Sequence, residues 1–385
     1  MDITDISSLG FILQEFFEVQ SQIYVHNNIH TDINYLLLTS NIRETHFRSV
    51  WSEDWIHNYT ARDFHYLFRM SQDTFEKLVT ALSTNSELIK SYNGGNKPIS
   101  FPTKILISLW YFGREISMHS IGDRFNVSKS TVYNIVQEVT NCLCTNMARQ
   151  FIRWPNIQEC VIIEDEFKMK ANMPGVIGAI DGCHINIKAP SSQQESYTDR
   201  KLNKSIIIQA VCTASKIFTN ICVGFPGRVH DARVLKNSEM YKKIENEGPN
   251  ELFYNTYYLL GDSAYPNRSW LISPYKNYGN LSVRKKKWNF YYSQTRVVIE
   301  HSFGLLKGRW RRLLYLNVTN VERAPYIILA CCVLHNFCLI NSDILIEIIE
   351  KNQFDDTDQV GISQNVNIND SGDAKREELL NIMVP

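Results

Sequence analysis

No repeated Cys-x-x-Cys spacing occurs among the nine cysteines, which are scattered from Cys142 to Cys338. Their odd number and irregular spacing argue against a disulfide framework and against a zinc ribbon, so the sequence indicates a reducing compartment. An excess of one charge is also missing, because 40 Lys and Arg residues are balanced by 40 Asp and Glu residues. Global charge therefore favours neither a nucleic acid nor a membrane surface as the partner, and any argument from charge has to be local.

A long apolar run and a basic, leader-like start are absent as well. The longest apolar run, Tyr326 to Ile340, is shorter than the ~20 residues that a membrane span needs, and His335 and Asn336 interrupt it. The chain starts with Asp2 and Asp5 rather than with a basic segment, so no secretory signal is expected. The composition, 44% hydrophobic over 385 residues, predicts a soluble intracellular protein with two packed domains.

The first part of the chain predicts helices. Residues 1–60 give only weak helical signals and suggest no function, whereas residues 61–150 predict a helical domain. One helix is expected to start at Ser71, whose hydroxyl can cap it, because apolar residues follow at helical spacing. A second helix is expected to run through Trp110.

The stretch from Ser117 to Leu143 predicts two short helices joined by a tight turn, and Ser128 can cap the second of them. This pattern is typical of a helix-turn-helix, in which the second helix presents its first residues to the major groove of DNA. The candidate contacts in that helix are Lys129 and Thr131. An ordinary helical hairpin has the same pattern, so DNA contact is one of two interpretations.

From Pro174 onward the periodicity changes to short runs rich in β-branched and aromatic residues. The runs VIGAID, HINIKA, SIIIQAVCTA, FTNICVGF and YYLLGD are separated by polar turns, and they predict a mixed α/β sheet domain over residues 174–341. Its last elements are expected to be helices over residues 294–312 and 324–339. Residues 342–385 form an acidic tail that is expected to be disordered, except for a short interaction helix between Lys375 and Met383.

Carboxylates follow two of the predicted strands. Asp181 comes after the run VIGAI and Asp262 after the run YYLLG, so each acid is expected at the end of a strand. A buried strand rarely ends in an unpaired carboxylate, and a bound cation would neutralise such a group. Asp231, in a glycine-containing loop, is a further candidate ligand, although an Asp in a loop is more often a turn former.

A third acid lies on a predicted helix. Arg296, Glu300, Lys307 and Arg311 share one stripe of that helix, so Glu300 is expected to be the only acid on a basic face. From Arg268 to Arg312 the sequence has eleven Lys and Arg residues and no acid except Glu300. A polyanion is the natural partner of such a segment. The expected phosphate contacts are Arg284, Lys285, Lys286, Lys287, Arg296, Lys307 and Arg311.

The run from Arg284 to Lys287 has two other interpretations, a nuclear import signal and a solvated basic turn. Three ligand-type residues, Cys331, His335 and Cys338, share one face of the last predicted helix. Because the surrounding pattern is apolar, a buried core histidine explains them better than a zinc site does. His184 and His230 lie close in sequence to two of the acids, and they are candidates for hydrogen bonding to them.

Carboxylates from two strand ends and one helix, beside a basic surface, are what phosphodiester chemistry with Mg²⁺ requires. The blocks GAIDGCHI, GFPGRVHDARVL, LLGDSAYP and RVVIEHSFGLLKGRWRRL occur in this order, and together they resemble the Harbinger transposase-derived nuclease family of the DDE superfamily. The resemblance covers about residues 174–341. It implies a ribonuclease-H-like mixed sheet flanked by helices, with catalytic acids at Asp181, Asp262 and Glu300 and Asp231 as an additional metal position.

The resemblance also implies Mg²⁺ or Mn²⁺ as the cofactor and DNA as the substrate. It further implies a separate Myb/SANT-like DNA-binding partner that assists nuclear import. Cys183 stands where other members have a small or hydroxyl residue. We therefore expect a nuclear protein, with the cytoplasm as a second location, with no membrane partner and with the oligomeric state left open, homo-oligomers included.

The expected activity is DNA endonuclease activity by a two-metal mechanism. The alternative is a domesticated, non-cutting protein that acts as a DNA-binding or chromatin adaptor. An aspartyl-phosphate phosphatase is set aside, because Asp181-Gly182-Cys183 lacks the second Asp that such enzymes carry two residues after the first.

Overall fold

Five helices come first in the part of the chain that the computed structural model describes, which is residues 59–83, 98–190, 193–345 and 370–384. Each helix begins after a Ser or Thr whose hydroxyl accepts a hydrogen bond from the backbone N–H three residues later. The cap predicted at Ser71 is among them. The weak helices expected before residue 59 lie outside the described residues. The five are α1 (Ala61–Phe68), α2 (Gln72–Ser83), α3 (Phe101–Gly113), α4 (Met118–Arg124) and α5 (Lys129–Cys142).

The tight turn between α4 and α5 has the geometry that the sequence predicts. Asn126 adopts a left-handed conformation with φ 53°, and the Val127 N–H donates to the Gly122 carbonyl at 2.8 Å. A side chain at Gly122 would lie 2.5 Å from the Val127 carbonyl oxygen, so the turn requires glycine at this position. The Ser128 hydroxyl caps α5 as predicted.

Two further helices lead to the sheet. After a π-helical turn at Leu143–Met147, α6 covers Ala148–Phe151. Helix α7, Ile157–Ala171, starts with a reciprocal cap in which the Asn156 side chain accepts from the Glu159 N–H and the Glu159 carboxylate accepts from the Asn156 N–H.

The sheet has five strands in the order β3-β2-β1-β4-β5. The first three pair antiparallel, whereas β4 pairs parallel with β1 and β5 pairs parallel with β4. The protein is thus a mixed α/β protein with helices flanking a mixed sheet, as expected. The strands are β1 (Val176–Asn186), β2 (Ser205–Cys212), β3 (Phe218–Pro226), β4 (Tyr258–Leu260) and β5 (Leu271–Ile272).

One strand differs from its prediction. The runs VIGAID and HINIKA were expected as two strands with a turn between them, but β1 is continuous over 11 residues. Asp181 therefore does not end a strand, because it pairs with Ala210 of β2 in the middle of β1. Burial stops there instead: the five residues from Val176 to Ile180 are buried, and Asp181 is the first partly exposed residue.

Of the six remaining helices in the described part of the chain, three lie between β3 and β4 and three follow β5. Helix α11 is 27 residues long, so it starts earlier than the expected residue 294, and Arg311 lies in a 3₁₀ turn after its end. It packs against β1, β2 and α7. The helices are α8 (Asp231–Asn237), α9 (Glu239–Glu247), α10 (Asn250–Phe253), α11 (Val283–Arg309), α12 (Ala324–Ile340) and α13 (Asp370–Met383).

Helix α12 is a core helix. The segment Val321–Ile340 has the length and hydropathy of a membrane span, but 67% of its apolar window is buried inside the protein, where it packs against β3. The His335 imidazole shares a 3.0 Å hydrogen bond with the Lys216 carbonyl, and burial lowers the pKa of His335 to about 4. Cys331 and Cys338 are fully buried. The core interpretation of these three residues is confirmed.

A buried ion pair joins the first helices to the end of α11. Arg309 lies 3.0 Å from Asp343, which also accepts hydrogen bonds from the Ser71 N–H at 2.7 Å and from His65 at 2.9 Å. Burial alone would raise the pKa of Asp343, but the bond from His65 and the charge of Arg309 hold it well below its usual value. Arg312 donates to the Tyr111 carbonyl near the end of α3 and to the Ile116 carbonyl in the α3–α4 connection, and it is also buried. Two of the basic residues in the segment from Arg268 to Arg312 are therefore structural.

The C-terminal residues differ from the expected disordered tail. Residues 346–369 lie outside the described residues, but α13 follows them and packs back on the protein. Leu379, Leu380 and Val384 are each at most 6% exposed. The predicted short helix is present and begins five residues before Lys375.

Candidate active site

Asp181 and Asp262 lie side by side because of the register between β1 and β4. These strands are parallel neighbours, and Ala179 pairs with Leu260. Each acid follows its paired residue by two positions, so the two carboxylates lie at the same level of the sheet. The Asp181 carboxylate accepts from the Gly182 N–H at 2.8 Å, and the Asp262 carboxylate accepts from the Ala264 N–H at 2.9 Å.

Asp231 joins this pair from the other side of β1. It is the first residue of α8, and its carboxylate lies directly over Gly182, since a Cβ at Gly182 would be 2.2 Å from Asp231 Oδ1. The glycine thus leaves the space that the carboxylate occupies. Asp181 and Asp262 are close enough to Asp231 for their charges to raise its pKa.

Gln209 and Tyr265 complete this cluster, and the sequence analysis missed both. Gln209 pairs with Gly182 across β1 and β2, and its amide donates to the Asp231 carbonyl at 3.1 Å and to the Tyr265 hydroxyl at 2.9 Å. Gln209 was hidden in the apolar run SIIIQAVCTA. A fully buried glutamine in a run of aliphatic residues is the signal that could have identified it.

The electrostatics of the cluster are dominated by burial and by repulsion between the acids. Burial, opposed by Arg296 and reinforced by Asp262, raises the pKa of Asp181 to about 6. Burial and the charges of Asp181 and Asp262 raise the pKa of Asp231 to about 7. Burial and the same three acids raise the pKa of Tyr265 well above its usual value, so its hydroxyl stays protonated.

Glu300 is connected to the cluster through Arg296. The Arg296 guanidinium donates to Asp181 Oδ2 at 2.9 Å and also to Glu300 Oε1. Arg296 and Glu300 are four apart on α11, so they lie on one stripe of the helix as the sequence predicts. Arg296 was expected to bind DNA phosphates, whereas in the structure it forms ion pairs with two of the predicted catalytic acids, Asp181 and Glu300.

The other predicted DNA contacts fall into two groups. Lys286, Lys287 and Arg311 are exposed, as is Lys129 at the start of α5. The remaining ones are engaged within the protein. Lys307 donates to the His184 carbonyl, the Thr131 hydroxyl bonds to Ser128, and Arg284 and Lys285 contact the C-terminal residues.

The two histidines near the acids do not bond to them. His184 Nδ1 lies 2.9 Å from the Ser205 hydroxyl, and burial lowers the pKa of this histidine. His230 Nδ1 lies 2.9 Å from the Arg200 guanidinium. Their expected role as hydrogen-bond partners of the acids has no support in these contacts.

The acids fit a divalent cation by donor chemistry and by charge. Carboxylate oxygens are the ligands that Mg²⁺ and Mn²⁺ take, and burial, together with repulsion from neighbouring acids, raises the pKa values of Asp181 and Asp231. Within residues 59–83, 98–190, 193–345 and 370–384, however, no three His, Cys, Asp or Glu side chains converge closely enough to hold a metal ion. Glu300 is paired with Arg296 in this arrangement.

Comparison with known proteins agrees with this geometry. A family described as "DDE superfamily endonuclease" matches residues 180–336, which contain all four acids, and a "Domain of unknown function" matches residues 48–145. HARBI1 from Homo sapiens, named as a candidate nuclease, is 32% identical over 252 residues, covering 63% of this chain and 69% of the relative. No solved structure matches.

Two relatives from Arabidopsis thaliana carry other names. Protein ALP1-like is 30% identical over 293 residues, which cover 72% of this chain and 71% of the relative. Antagonist of Like Heterochromatin Protein 1 is 28% identical over 319 residues, which cover 77% of this chain and 80% of the relative. The resemblance found in the four sequence blocks is thereby confirmed, and the chain belongs to the Harbinger transposase-derived nuclease family of the DDE superfamily.

Proposed function

We propose that the protein is a divalent-metal-dependent DNA endonuclease of transposase origin. The observation that carries this proposal is the placement of Asp181 and Asp262 side by side on parallel strands, with Asp231 over Gly182. Such a cluster of repelling, partly buried carboxylates is unfavourable unless it serves a cation. The strand order β3-β2-β1-β4-β5, three antiparallel strands followed by two parallel ones, supports the ribonuclease-H-like fold of this proposal.

Asp181, Asp231, Asp262 and Glu300 are the residues that would hold Mg²⁺ or Mn²⁺. A bound pair of divalent ions supplies activation of the attacking water and stabilisation of the leaving oxygen in phosphodiester hydrolysis. Gln209 fixes the backbone of Asp231, so it is a positioning residue in this proposal. Tyr265, protonated and held by Gln209, presents a neutral hydroxyl to the acids.

DNA would be held by exposed cations of the basic segment and of α5. Lys286, Lys287 and Arg311 are exposed members of the basic segment, and Lys129 is exposed at the start of the second helix of the helix-turn-helix-like pair. A Myb/SANT-like partner, a nuclear location with the cytoplasm as a second one, and an open oligomeric state belong to the same proposal. These points rest on the family resemblance.

Nicking of supercoiled plasmid with Mg²⁺ or Mn²⁺ tests the activity. We expect the wild type to nick the plasmid and Asp262→Asn and Asp231→Asn to lose the activity. Asp165→Asn is the matched control, because the Asp165 side chain is 67% exposed on α7, where it lies 3.8 Å from Lys168. Metal-independent cutting, or equal cutting by all variants, would contradict the proposed site.

The second candidate function is a non-cutting adaptor that binds DNA or chromatin. Two observations favour it: Arg296 already forms ion pairs with Asp181 and Glu300, and one relative is named for antagonism of a heterochromatin protein. In this case, wild type and Asp262→Asn bind duplex DNA equally, with a steep salt dependence, and neither cuts.

A further inference from the structure

The C-terminal helix α13 covers part of the basic segment. It packs beside β5 and the start of α11. Its Gly372 lies so close to the backbone of Asn267 and Arg268 that a Cβ would be 2.7 Å from both. Leu379 and Leu380 are at most 3% exposed, so this end of the helix is anchored by apolar burial.

The C-terminal residues contact two of the four cations of the basic turn, which is defined as Arg284–Lys287. The Lys285 ammonium lies 3.2 Å from Glu377 Oε1, and the same carboxylate oxygen accepts from the Tyr275 hydroxyl at 3.0 Å. Arg284 donates to the Asn381 side chain at 2.7 Å and to the Val384 carbonyl. Two cations of the basic turn are thus engaged by the C-terminal residues, whereas the other two face solvent.

The charge of α13 is opposite to that of the surface that it covers. Its sequence, DSGDAKREELLNIM, has four acids and two basic residues. A carboxylate held by Lys285 stands where the phosphate of a bound polyanion would otherwise bind. This contact is also solvent-accessible, since the Lys285 and Glu377 side chains are 36% and 49% exposed.

We propose that α13 is an internal competitor of DNA for the basic turn, so that DNA phosphates and the Glu377 carboxylate bind Lys285 in turn. This inference rests on the proposed DNA binding by α11. An exposed ion pair is weak and is screened by salt, whereas duplex DNA offers a phosphate charge about every 1.7 Å of its axis. DNA therefore displaces Glu377 from Lys285 at low salt, and each cation so released adds one phosphate contact.

Two pairs of full-length variants test the competition by titration with a short labelled duplex at several salt concentrations. Glu377→Gln removes the carboxylate that Lys285 binds, and we expect about two- to five-fold tighter binding. Glu378→Gln removes the same charge from the same helix, but the cation beside its carboxylate is Lys375 of that helix, at 3.4 Å. We expect no change for this control.

The second pair tests the docking of α13 rather than its charge. Gly372→Ala introduces the Cβ that the backbone of Asn267 excludes, although alanine favours an isolated helix. Ser371→Ala is the control, because Ser371 is exposed one residue earlier. We expect tighter DNA binding for Gly372→Ala alone, with the slope of log affinity against log salt steeper by up to about 1.8, the value for two additional phosphates.

Hydrogen exchange of the wild type gives a readout that does not depend on variants. Saturating duplex is expected to increase amide exchange over residues 371–383. Equal responses of Glu377→Gln and Glu378→Gln would reduce the effect to net charge and overturn the proposal, as would duplex binding that leaves exchange in α13 unchanged. If no form of the protein binds duplex, the proposed DNA binding itself fails, which is a different result.

Discussion

Replacing Gly182 by alanine is expected to disable the acid cluster while leaving the fold in place. The added methyl group would lie 2.2 Å from Asp231 Oδ1 and 2.9 Å from Asp231 Cγ, whereas ordinary contacts begin near 3.4 Å. The Asp231 carboxylate must therefore move by about 1 Å. Its backbone cannot follow freely, because Gln209 holds the Asp231 carbonyl at 3.1 Å.

The expected magnitudes separate a catalytic effect from a structural one. The clashing atoms belong to the end of a short side chain that can rotate, so the cost in unfolding free energy is at the low end of overpacking, about 1 kcal/mol. Misplacing a functional group by about 1 Å can cost about 10²-fold in rate. We therefore expect Gly182→Ala to remain folded and to nick plasmid about 10²-fold more slowly than the wild type.

Plasmid nicking with Mn²⁺ and thermal unfolding, measured on the same samples, check this prediction. Cys183→Ala is the control at the next residue of β1, where the partly buried thiol packs against the core and lies 3.8 Å from the His184 carbonyl. If Gly182→Ala acts through Asp231, it has little further effect in an Asp231→Asn background. Wild-type activity in Gly182→Ala, or the same loss in both backgrounds, would refute the reasoning.

Two predictions concern stability. Asp343→Asn leaves Arg309 buried without its counter-ion and is expected to lower the unfolding free energy by about 3–5 kcal/mol in urea titrations, while Asp165→Asn at the surface changes it by less than about 0.5 kcal/mol. An Asp343→Asn effect as small as the control would contradict the buried ion pair. The pKa of His335 is lowered from 6.5 to about 4 in the folded protein. Its contribution to the free energy of unfolding is therefore complete above pH 6.5, and on the order of 3 kcal/mol is lost as the pH falls from 6.5 to 4. His335→Gln can still donate a hydrogen bond to the Lys216 carbonyl, and it is expected to flatten the loss of stability at low pH. An unchanged dependence of stability on pH would contradict the role of His335.

Local signals in the sequence were sufficient for the helix starts and for the identity of the acids. The hydroxyls of Ser71 and Ser128 cap the helices that follow them, because a cap depends on residues only three positions apart. Asp181, which precedes Gly182, was expected at a strand end because it follows the apolar run VIGAI. In the structure Gly182 continues β1 and leaves space for the Asp231 side chain. This role depends on a residue far away in the sequence, so the 11 residues of the strand alone could not predict it.

The C-terminal residues show the same limit for charge. Their acidic composition predicted disorder, and the basic turn predicted DNA contacts, but neither pattern predicts that the two segments meet. Glu377 and Lys285 are 92 residues apart in the sequence, and the burial of Leu379 and Leu380 brings them together. Contacts with the C-terminal residues therefore leave fewer Lys and Arg side chains available to DNA than the number of basic residues in the sequence suggested.

The charge balance of the active site leads to a last prediction. The Arg296 guanidinium carries one positive charge beside four carboxylates. This charge does not prevent the rise of the pKa to about 6 for Asp181 and about 7 for Asp231. Near pH 6.5 the two carboxyl groups together therefore carry about one proton, which a metal ion must displace to bind. Calorimetric titration with Mn²⁺ in buffers of different ionisation enthalpy is expected to show release of about one proton near pH 6.5 and almost none near pH 8.5. Asp231→Asn is expected to lose most of that release, and Mn²⁺ binding without it would show that the metal binds elsewhere.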